Sequence, residues 1–241
     1  MLEKTSAILL HATSYSDSST ILKAYTNRFG LQSYMISGIR GKRSKNKASS
    51  LQPLTIAEII ASGTDKNKLK RITEINVLHP YTSIPYDVIK STIALFLNEV
   101  LYRSLKDDEA NEDLFEYVKN ALLILDLSTG SCTNFHLCFM LQMSRFLGFY
   151  PQGNYSHKSQ FFDLRDGSFV GARPSHALCL DPDDSSVLDR LLNADFDNME
   201  SVSISRAQRK KLLLNLVFFY RLHIPTFGEM RSPEVLEEVI S

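Results

Sequence analysis

The sequence predicts an α+β protein with a small β-barrel at its N-terminus, followed by a mostly α-helical domain that carries an irregular insert. Up to about residue 80, short runs rich in β-branched and aromatic residues alternate with Ser, Asp, Asn or Gly clusters, as strands and turns do. Beyond His79 and Pro80, apolar residues recur at the three- and four-residue spacing of amphipathic helices. We therefore predict domains at 1–80 and 81–241.

Five strands are expected in the first domain, and the segment "GTDKNK" is expected to form the turn between the last two. The predicted strands are 5–15, 19–27, 31–39, 54–62 and 70–79. Five short strands in about eighty residues favour a small barrel or a sandwich. We take a five-stranded OB-fold barrel as the prediction.

Amphipathic helices are expected in the second domain, where Ser205 precedes one run and Gly148 closes another before Pro151. The predicted helices are 86–105, 112–127, 134–149 and 205–223. The insert, 151–182, is rich in Gly, Ser and Asp and contains the hairpin-like run "FFDLRDGSFVG". Strand-like segments are therefore expected to interrupt the helices there.

Composition excludes several classes of protein. The 241 residues carry 27 basic and 27 acidic side chains, and no window is apolar over the roughly 18 residues that a membrane span needs. The N-terminus lacks a small-residue cleavage site, so a cytoplasmic location is expected. Cys132, Cys138 and Cys179 have no paired spacing, which favours reduced, buried thiols over disulfides or a four-cysteine zinc site.

Basic residues are concentrated in two predicted loops of the barrel. The candidate DNA-binding residues are Arg40, Lys42, Arg43, Lys45 and Lys47 in the first loop, and Lys66, Lys68, Lys70 and Arg71 in the second. Solvated Lys and Arg side chains can follow a phosphate backbone and release its counterions. A single charged run is more often a soluble loop, but two such loops on one barrel favour nucleic-acid binding.

Aromatic residues near these loops are candidates for stacking on bases, although most strand aromatics belong to a core. They are Tyr15, Tyr25, Phe29 and Tyr34.

Catalysis is not expected. The sequence contains no G-x-x-x-x-G-K-[ST] phosphate loop, no H-E-x-x-H and no G-x-S-x-G. Five acids cluster between two helices, but consecutive loop acids lack a rigid element that would converge them on a metal, so a solvated connection is expected. They are Asp107, Asp108, Glu109, Glu112 and Asp113. His136 and His223 lie on apolar helices and are expected to be satisfied core or boundary residues.

Several motifs together carry a family resemblance over nearly the whole chain. They are T-x-R-F-G at 26–30, G-x-R-x-x-x-S at 38–44 followed by "LQPL", the helix end "LGFYP", and the final "SPEVLEEV". In this order and spacing, the chain resembles the bacterial RecO family of DNA repair proteins. The resemblance implies an OB-fold that binds DNA, a helical C-terminal domain, and a role in annealing and recombination. It also implies three protein partners: the single-stranded DNA-binding protein SSB through its acidic tail, RecR, and indirectly the RecA recombinase.

The insert departs from the family pattern, in which four cysteines commonly hold zinc. Here 151–182 offers only Cys179, with His157 and His176 as possible nitrogen ligands. Three scattered candidates do not form a closed structural site, so we expect packing, without metal or other cofactor, to hold a zinc-finger-like insert together.

The mechanism expected from these features is binding without bond chemistry, on single- or double-stranded DNA at the nucleoid. Cations beside the apolar stripe of helix 205–223 could hold an acidic tail, although this helix could equally be a core helix with a solvated basic side. The candidates are Arg206, Arg209, Lys210 and Lys211, with Arg165 and Arg173 in the insert as rivals. Two other functions stay open on sequence grounds: an RNA-binding OB module and a non-catalytic scaffold.

Overall fold

The structure is a computed structural model that describes residues 2–16, 19–37, 51–62, 69–106 and 109–240. The chain divides into two compact units. The barrel unit comprises Met1–Thr82 and Val100–Leu123, and the helical unit comprises Ser83–Glu99 and Ile124–Ser241. The predicted domains, 1–80 and 81–241, stay a prediction, since compactness in the folded chain does not establish which segment folds alone.

Five strands form a closed barrel, and this confirms the prediction of an OB-fold barrel. The strands are β1 (Leu2–Ser14), β2 (Ser19–Thr26), β3 (Gly30–Ser37), β4 (Ile56–Ser62) and β5 (Lys70–Val77). Their order around the barrel is β1-β2-β3-β5-β4. All neighbouring strands are antiparallel except β3 and β5, which pair in parallel.

The barrel closes because β1 is long enough to pair with two strands. Its 13 residues pair with β2 through Ala7–Ser14 and with β4 through Leu2–Ile8. Alternate residues of the strands point inward and form the core. The core residues are Ala7, Leu9, Leu22, Ala24, Tyr34, Ile36, Ala57, Ile59, Ala61, Ile72 and Ile75.

The T-x-R-F-G motif is the tight turn between β2 and β3. The Thr26 hydroxyl donates to the Gly30 carbonyl oxygen at 2.9 Å and accepts from the Phe29 N–H at 3.0 Å. Gly30 has a φ of +67°, and a Cβ atom there would lie 2.5 Å from the Glu109 carbonyl oxygen. This turn therefore requires glycine for both backbone conformation and space.

Six α-helices follow the barrel strands in the part of the chain that the structure describes. They are α1 (Val88–Ser104), α2 (Glu112–Leu127), α3 (Phe135–Phe146), α4 (Pro182–Leu192), α5 (Arg206–His223) and α6 (Ser232–Val239). The four predicted helices are α1, α2, α3 and α5. Ser205 caps α5 in a capping box, because its hydroxyl accepts from the Gln208 N–H while the Gln208 side chain accepts from the Ser205 N–H.

Helices α4 and α6 were not predicted as helices. The first turn of α4 is Pro-Asp-Asp, which resembles a loop, but Asp181 caps it by accepting from the Asp184 N–H. For α6, the Glu99 carboxylate accepts from the N–H groups of Arg231 and Ser232. Both starts therefore depend on side chain–backbone hydrogen bonds, one of them long-range.

The insert forms a small three-stranded sheet of β6 (Phe161–Asp163), β7 (Ser168–Val170) and β8 (Cys179–Leu180), in the order β7-β6-β8. Phe162 packs against Phe169 and Phe219, with ring centroids 5.0 and 5.9 Å apart. Aromatic packing therefore joins this sheet to α5. Within the described residues, no helix combines the length and the apolar character that a membrane crossing requires.

Candidate nucleic-acid interface

The ends of β3 and β4 lie close together on the barrel. Arg71 on β5 is the partner of both Met35 on β3 and Ser62 on β4. With strands about 4.8 Å apart and about 3.3 Å per residue, Ser37 and Ser62 are about 12 Å from each other. We call this region, defined by Met35, Ser37, Ser62, Lys70 and Arg71, the β3–β5 seam.

The seam is where the chain enters and leaves the basic segments. Ser37 is followed by 38–50, and Ser62 is followed by 63–68. Seven of the predicted DNA-binding residues lie in these segments, outside the described residues. They are Arg40, Lys42, Arg43, Lys45, Lys47, Lys66 and Lys68. The strand register shows that both segments are attached to the same region of the barrel.

The remaining two predicted DNA-binding residues differ in their surroundings. The Lys70 ammonium lies 2.6 Å from the Glu3 carboxylate and 4.7 Å from the centroid of the Phe29 ring. Arg71 is exposed, and its guanidinium contacts only the Met35 sulfur at 4.0 Å among the described residues. Among the described residues Arg71 has no acidic partner, whereas Glu3 neutralises part of the field of Lys70.

Two of the four candidate stacking residues are accessible. Tyr15 is 66% exposed in the turn after β1, where its N–H donates to the Ser19 carbonyl oxygen at 2.9 Å. Phe29 is half-buried, with the Lys70 ammonium and the Arg28 guanidinium over its ring. A ring that already contacts cations sits in a positive environment, which suits an aromatic that stacks on a base beside a phosphate.

The other two candidates belong to the core. Tyr25 and Tyr34 are 2% and 1% exposed, so neither ring has a free face for a base. Burial and the nearby Glu109 raise the pKa of Tyr25 to about 12, and its hydroxyl donates to the Asn111 carbonyl oxygen at 3.0 Å. Burial also raises the pKa of Tyr34. We exclude both residues from the candidate interface.

The sequence matches one family along most of its length. Residues 1–81 match the family described as Recombination protein O N terminal, and residues 85–231 match Recombination protein O C terminal. The chain belongs to the RecO family of DNA repair proteins. The first match covers the described strands of the barrel, and the second covers α1 to α5.

Full-length relatives in the RecO family agree with this assignment. Proteins named DNA repair protein RecO from Phocaeicola vulgatus and Bacteroides fragilis are 37% and 38% identical to the chain, covering 100% and 99% of each sequence. The protein of that name from Flavobacterium psychrophilum is 37% identical, again over 99% of both chains. The similarity therefore includes both units.

The three residues that were considered as zinc ligands in the insert, His157, His176 and Cys179, are not all grouped together. Asp163 and Cys179 are partners in neighbouring strands, and the His176 Nε2 atom lies 3.2 Å from an Asp163 carboxylate oxygen. His157 is exposed in a separate turn. In the described part of the chain, no three His, Cys, Asp or Glu side chains are grouped as metal ligands.

Three of the five clustered acids between the first two helices lie within the described residues. Asp107 and Asp108 lie outside the described residues. Glu112 and Asp113 form the first turn of α2, where negative charge is favourable at the positive end of the helix dipole. The exposed Glu109 contributes its backbone to the packing against Gly30. The acidic side chains of Glu112 and Asp113 therefore have a structural explanation.

The candidate partner-binding cations fall into two groups. Arg165 and Arg173 are exposed in the insert. On α5, Lys211 is ion-paired to Asp181 at 2.7 Å and also to Asp184, so these two carboxylates neutralise its charge. Arg206, Arg209 and Lys210 line a pocket of about 120 Å³ between α3, α5 and α6, which we call the α5–α6 pocket. Lys210 is ion-paired there to Glu237 at 2.6 Å.

Sequence reasoning missed one member of that pocket. His136 was expected to be a satisfied core residue, and it is buried, but neither ring nitrogen has a hydrogen-bond partner among the described residues. The expectation that its ring nitrogens are hydrogen-bonded is therefore wrong for the described residues. No local pattern signals this, because the surroundings of His136 come from α5 and α6, about 70 to 100 residues later in the chain. His223, by contrast, has a ring nitrogen 3.2 Å from the Leu164 carbonyl oxygen.

Proposed function

We propose that this RecO-family protein binds single- and double-stranded DNA through the β3–β5 seam and anneals complementary strands without ATP. The observation that carries the proposal is the strand register, which joins both basic segments to the barrel within about 12 Å of each other. The exposed Arg71 lies between their points of attachment. Cations that are held close together attract phosphates more strongly than the same charges dispersed over the surface.

Annealing then follows from charge neutralisation. Two complementary strands repel each other through their phosphates, and cations bound along one strand reduce that repulsion. Phe29 and Tyr15 offer accessible rings on which unpaired bases could stack. No covalent bond is made or broken in this process, so the mechanism needs neither ATP nor a catalytic residue.

The proposal includes protein partners for the helical unit. The names of the relatives establish DNA repair and no more, so SSB, RecR and RecA come from what the family resemblance implies. An acidic SSB tail would be attracted by Arg206, Arg209 and Lys210 on α5. With RecR, the protein would then help load RecA onto SSB-coated DNA at the nucleoid.

A paired set of variants tests the seam. We expect Lys70→Ala/Arg71→Ala to bind labelled single-stranded DNA more weakly and with a shallower salt dependence, by about 0.7 in log–log slope per lost phosphate contact. The matched control, Lys4→Ala/Lys119→Ala, removes two cations of the same unit that are ion-paired to Glu58 and Glu116. Fluorescence anisotropy across a salt series measures both.

An annealing assay and a comparison of RNA with DNA binding distinguish the candidate functions. Unlabelled complementary DNA should anneal faster with the parent protein than alone, in the absence of ATP. Identical salt slopes for seam variant and control would remove the seam from the interface. Tighter binding of a structured RNA than of single-stranded DNA at matched salt would favour the RNA-binding alternative.

A further inference from the structure

The outward side of β2 and β3 forms an open surface next to the β3–β5 seam. Alternate residues of both strands point into the core, so the residues between them point outward. None of the outward residues in the stretch nearest the seam is buried, and we call them the β2–β3 wall. They are Ile21, Lys23, Ser33 and Met35. Because Met35 is also the partner of Arg71, the wall is continuous with the seam.

A cluster of three side chains lies at the end of the wall away from Arg71. His11 on β1 is directly opposite Lys23 in the register of β1 and β2. Tyr102, in the last turn of α1, contacts both. Its ring centroid is 5.8 Å from the His11 ring centroid and 5.3 Å from the Lys23 ammonium. All three residues belong to the barrel unit, and we call them the Tyr102 cluster.

A β-bulge places His11 in this cluster. The pairing of β1 with β2 shifts by one residue between Leu9 and His11. Leu9 belongs to the barrel core, so strict alternation from Leu9 would point His11 into the core as well. The extra residue reverses the alternation, and His11 is exposed. Bulges that redirect a side chain in this way are common beside functional sites.

The Tyr102 ring is too exposed to be explained by core packing. Tyr102 is 41% exposed, whereas Tyr25 and Tyr34 in the same unit are 2% and 1% exposed. Part of the Tyr102 ring is therefore accessible to a ligand. An accessible aromatic ring beside a cation is the combination with which barrels of this kind bind single strands, through base stacking and phosphate contacts.

The distance from the seam to the cluster corresponds to a few nucleotides. Arg71 and Lys23 are separated by two strand spacings of about 4.8 Å and by two residues of about 3.3 Å each, which gives about 12 Å. Phosphates of a stacked strand follow each other about every 3.4 Å, so this distance spans about three to four nucleotides. Between the two cations, Ile21 and Met35 provide a half-buried apolar surface.

We propose that Tyr102 stacks on a base of single-stranded DNA and that Lys23 and His11 contact the adjacent phosphate. The bound strand then extends from the β3–β5 seam across the β2–β3 wall to the end of α1. This inference rests on the DNA binding proposed above, and it adds a contact region outside the basic segments and a stacking residue outside the barrel strands. A single strand is favoured over a duplex, because a paired base has no free face for the Tyr102 ring.

DNA without bases tests the stacking. We would compare labelled oligothymidine of about 12 nucleotides with an abasic strand of the same length and charge. Tyr102→Ala should weaken binding of oligothymidine at least about fivefold and leave binding of the abasic strand unchanged. The salt slope should also stay the same, because no charge is removed. An equal loss on the two strands, or no loss on either, would overturn the proposal.

Variants of the two polar residues test the phosphate contact. Lys23→Ala should weaken binding of both strands and lower the log–log salt slope by about 0.7. His11→Ala should weaken binding of both about threefold. The matched controls should bind as the parent does. They are Tyr86→Ala, which removes an 83% exposed ring of the helical unit, and Lys4→Ala, which removes a cation paired to Glu58. An unchanged salt slope in Lys23→Ala would remove the phosphate from this region.

Conservative variants separate stacking from a structural role of Tyr102. Tyr102→Phe keeps the ring and should bind oligothymidine as the parent does. Tyr102→Leu fills the space without an aromatic face and should lose as much affinity as Tyr102→Ala, which keeps the test valid should the alanine variant fail to fold. A 2-aminopurine base in the strand should be quenched by the parent and less by Tyr102→Leu. Full binding and full quenching with Tyr102→Leu would contradict the stacking.

The two proposals fail separately. If Lys70→Ala/Arg71→Ala lowers the salt slope while Tyr102→Ala binds oligothymidine as the parent does, the seam stands and the stacking role of Tyr102 falls. If Tyr102→Ala loses only base-dependent binding while the seam variant matches its control, the Tyr102 cluster stands and the seam falls. Stronger losses for a duplex than for oligothymidine in Tyr102→Ala would contradict the assignment of a single strand to this ring.

Discussion

The β3–β5 seam and the α5–α6 pocket are both basic, but they offer their charge in different ways. At the seam, Arg71 is exposed and Lys70 is shared between Glu3 and Phe29, on the outside of a closed barrel. In the pocket, cations surround a concave space with an apolar wall and the buried imidazole of His136, which has no hydrogen-bond partner among the described residues. The seam offers its charge on an exposed strand surface, whereas the pocket combines its charge with an apolar wall.

This difference between the seam and the pocket indicates that charge alone does not determine what a surface recognises. Exposed cations are screened by salt and tolerate many partners, because each contact is solvated and adjustable. A buried donor beside an apolar wall tolerates few, since a poorly matched ligand leaves polar atoms unpaired. Four experiments test how the two regions differ, and the variant expected to change most is described first.

Replacing the five cations of the first basic segment with alanine should produce the largest loss of DNA binding. In a variant with Arg40, Lys42, Arg43, Lys45 and Lys47 changed to Ala, we expect the log–log salt slope for single-stranded DNA to fall by up to about 3.5, at about 0.7 per phosphate contact. Anisotropy titrations across a salt series measure this. The charge-matched control changes five exposed cations of the helical unit. They are Arg145, Lys158, Arg190, Arg221 and Arg231. Equal slopes for the two variants would show that this segment is a soluble loop.

Glycine 30 should be the most sensitive backbone position of the barrel unit. Gly30→Ala forces a left-handed backbone onto alanine and places a Cβ against the Glu109 backbone, so we expect a loss of at least about 2 kcal/mol in unfolding free energy. Urea denaturation measures it. Gly130→Ala is the control, because no described atom lies within 4 Å of its Cβ position. Similar stability of the two variants would contradict the packing of this turn.

The pH dependence of stability should report the buried imidazole. His136 has a folded pKa of about 3 against its ordinary 6.5, so its contribution is fully present above pH 6.5 and is lost as pH falls toward 3. Between pH 6.5 and 5, the parent should lose about 1.6 kcal/mol more unfolding free energy than His136→Phe, because the slope rises from about half of 1.36 kcal/mol per pH unit at pH 6.5 toward that full value. Parallel urea titrations of the two proteins test this, and parallel pH profiles would mean that the ring is hydrated.

Two tyrosines should show the smallest and most selective effects. Tyr15→Ala should weaken single-stranded DNA binding about fivefold through lost stacking, with little change in stability, since Tyr15 is exposed. Tyr25→Phe should leave DNA binding unchanged and cost about 1 kcal/mol of stability, because it removes the hydrogen bond to Asn111. The reverse assignment of these effects would place Tyr25 at the interface.

Local patterns predicted most of the fold. The five strands and four of the helices follow from periodicity and punctuation, because each pattern is contained in its own segment. Helix α6 was missed because Glu99, more than 130 residues earlier, supplies its cap. A single-sequence pattern does not reveal such a partner.

The candidate sites were predicted less completely than the fold. Clusters of basic residues identify a charged surface, but their place on the barrel depends on the parallel pairing of β3 with β5. Inward and outward aromatics look alike in sequence, so Tyr15 and Tyr34 were treated together although one is exposed and the other buried. His136 gains its significance only when α5 and α6 pack beside α3.

The closure of the barrel by β1 has a consequence for synthesis on the ribosome. Strand β1 finds its second partner only when β4 has emerged, and β5 must follow to join β3 to β4. Until then, β1, β2 and β3 form at most a three-stranded meander with two open edges. Open edges invite pairing with other chains. The nascent protein is therefore most prone to aggregate after β3 has emerged from the ribosome and before β4 and β5 have done so. The basic segment 38–50 emerges in that interval, and its positive charge then helps to keep neighbouring copies apart.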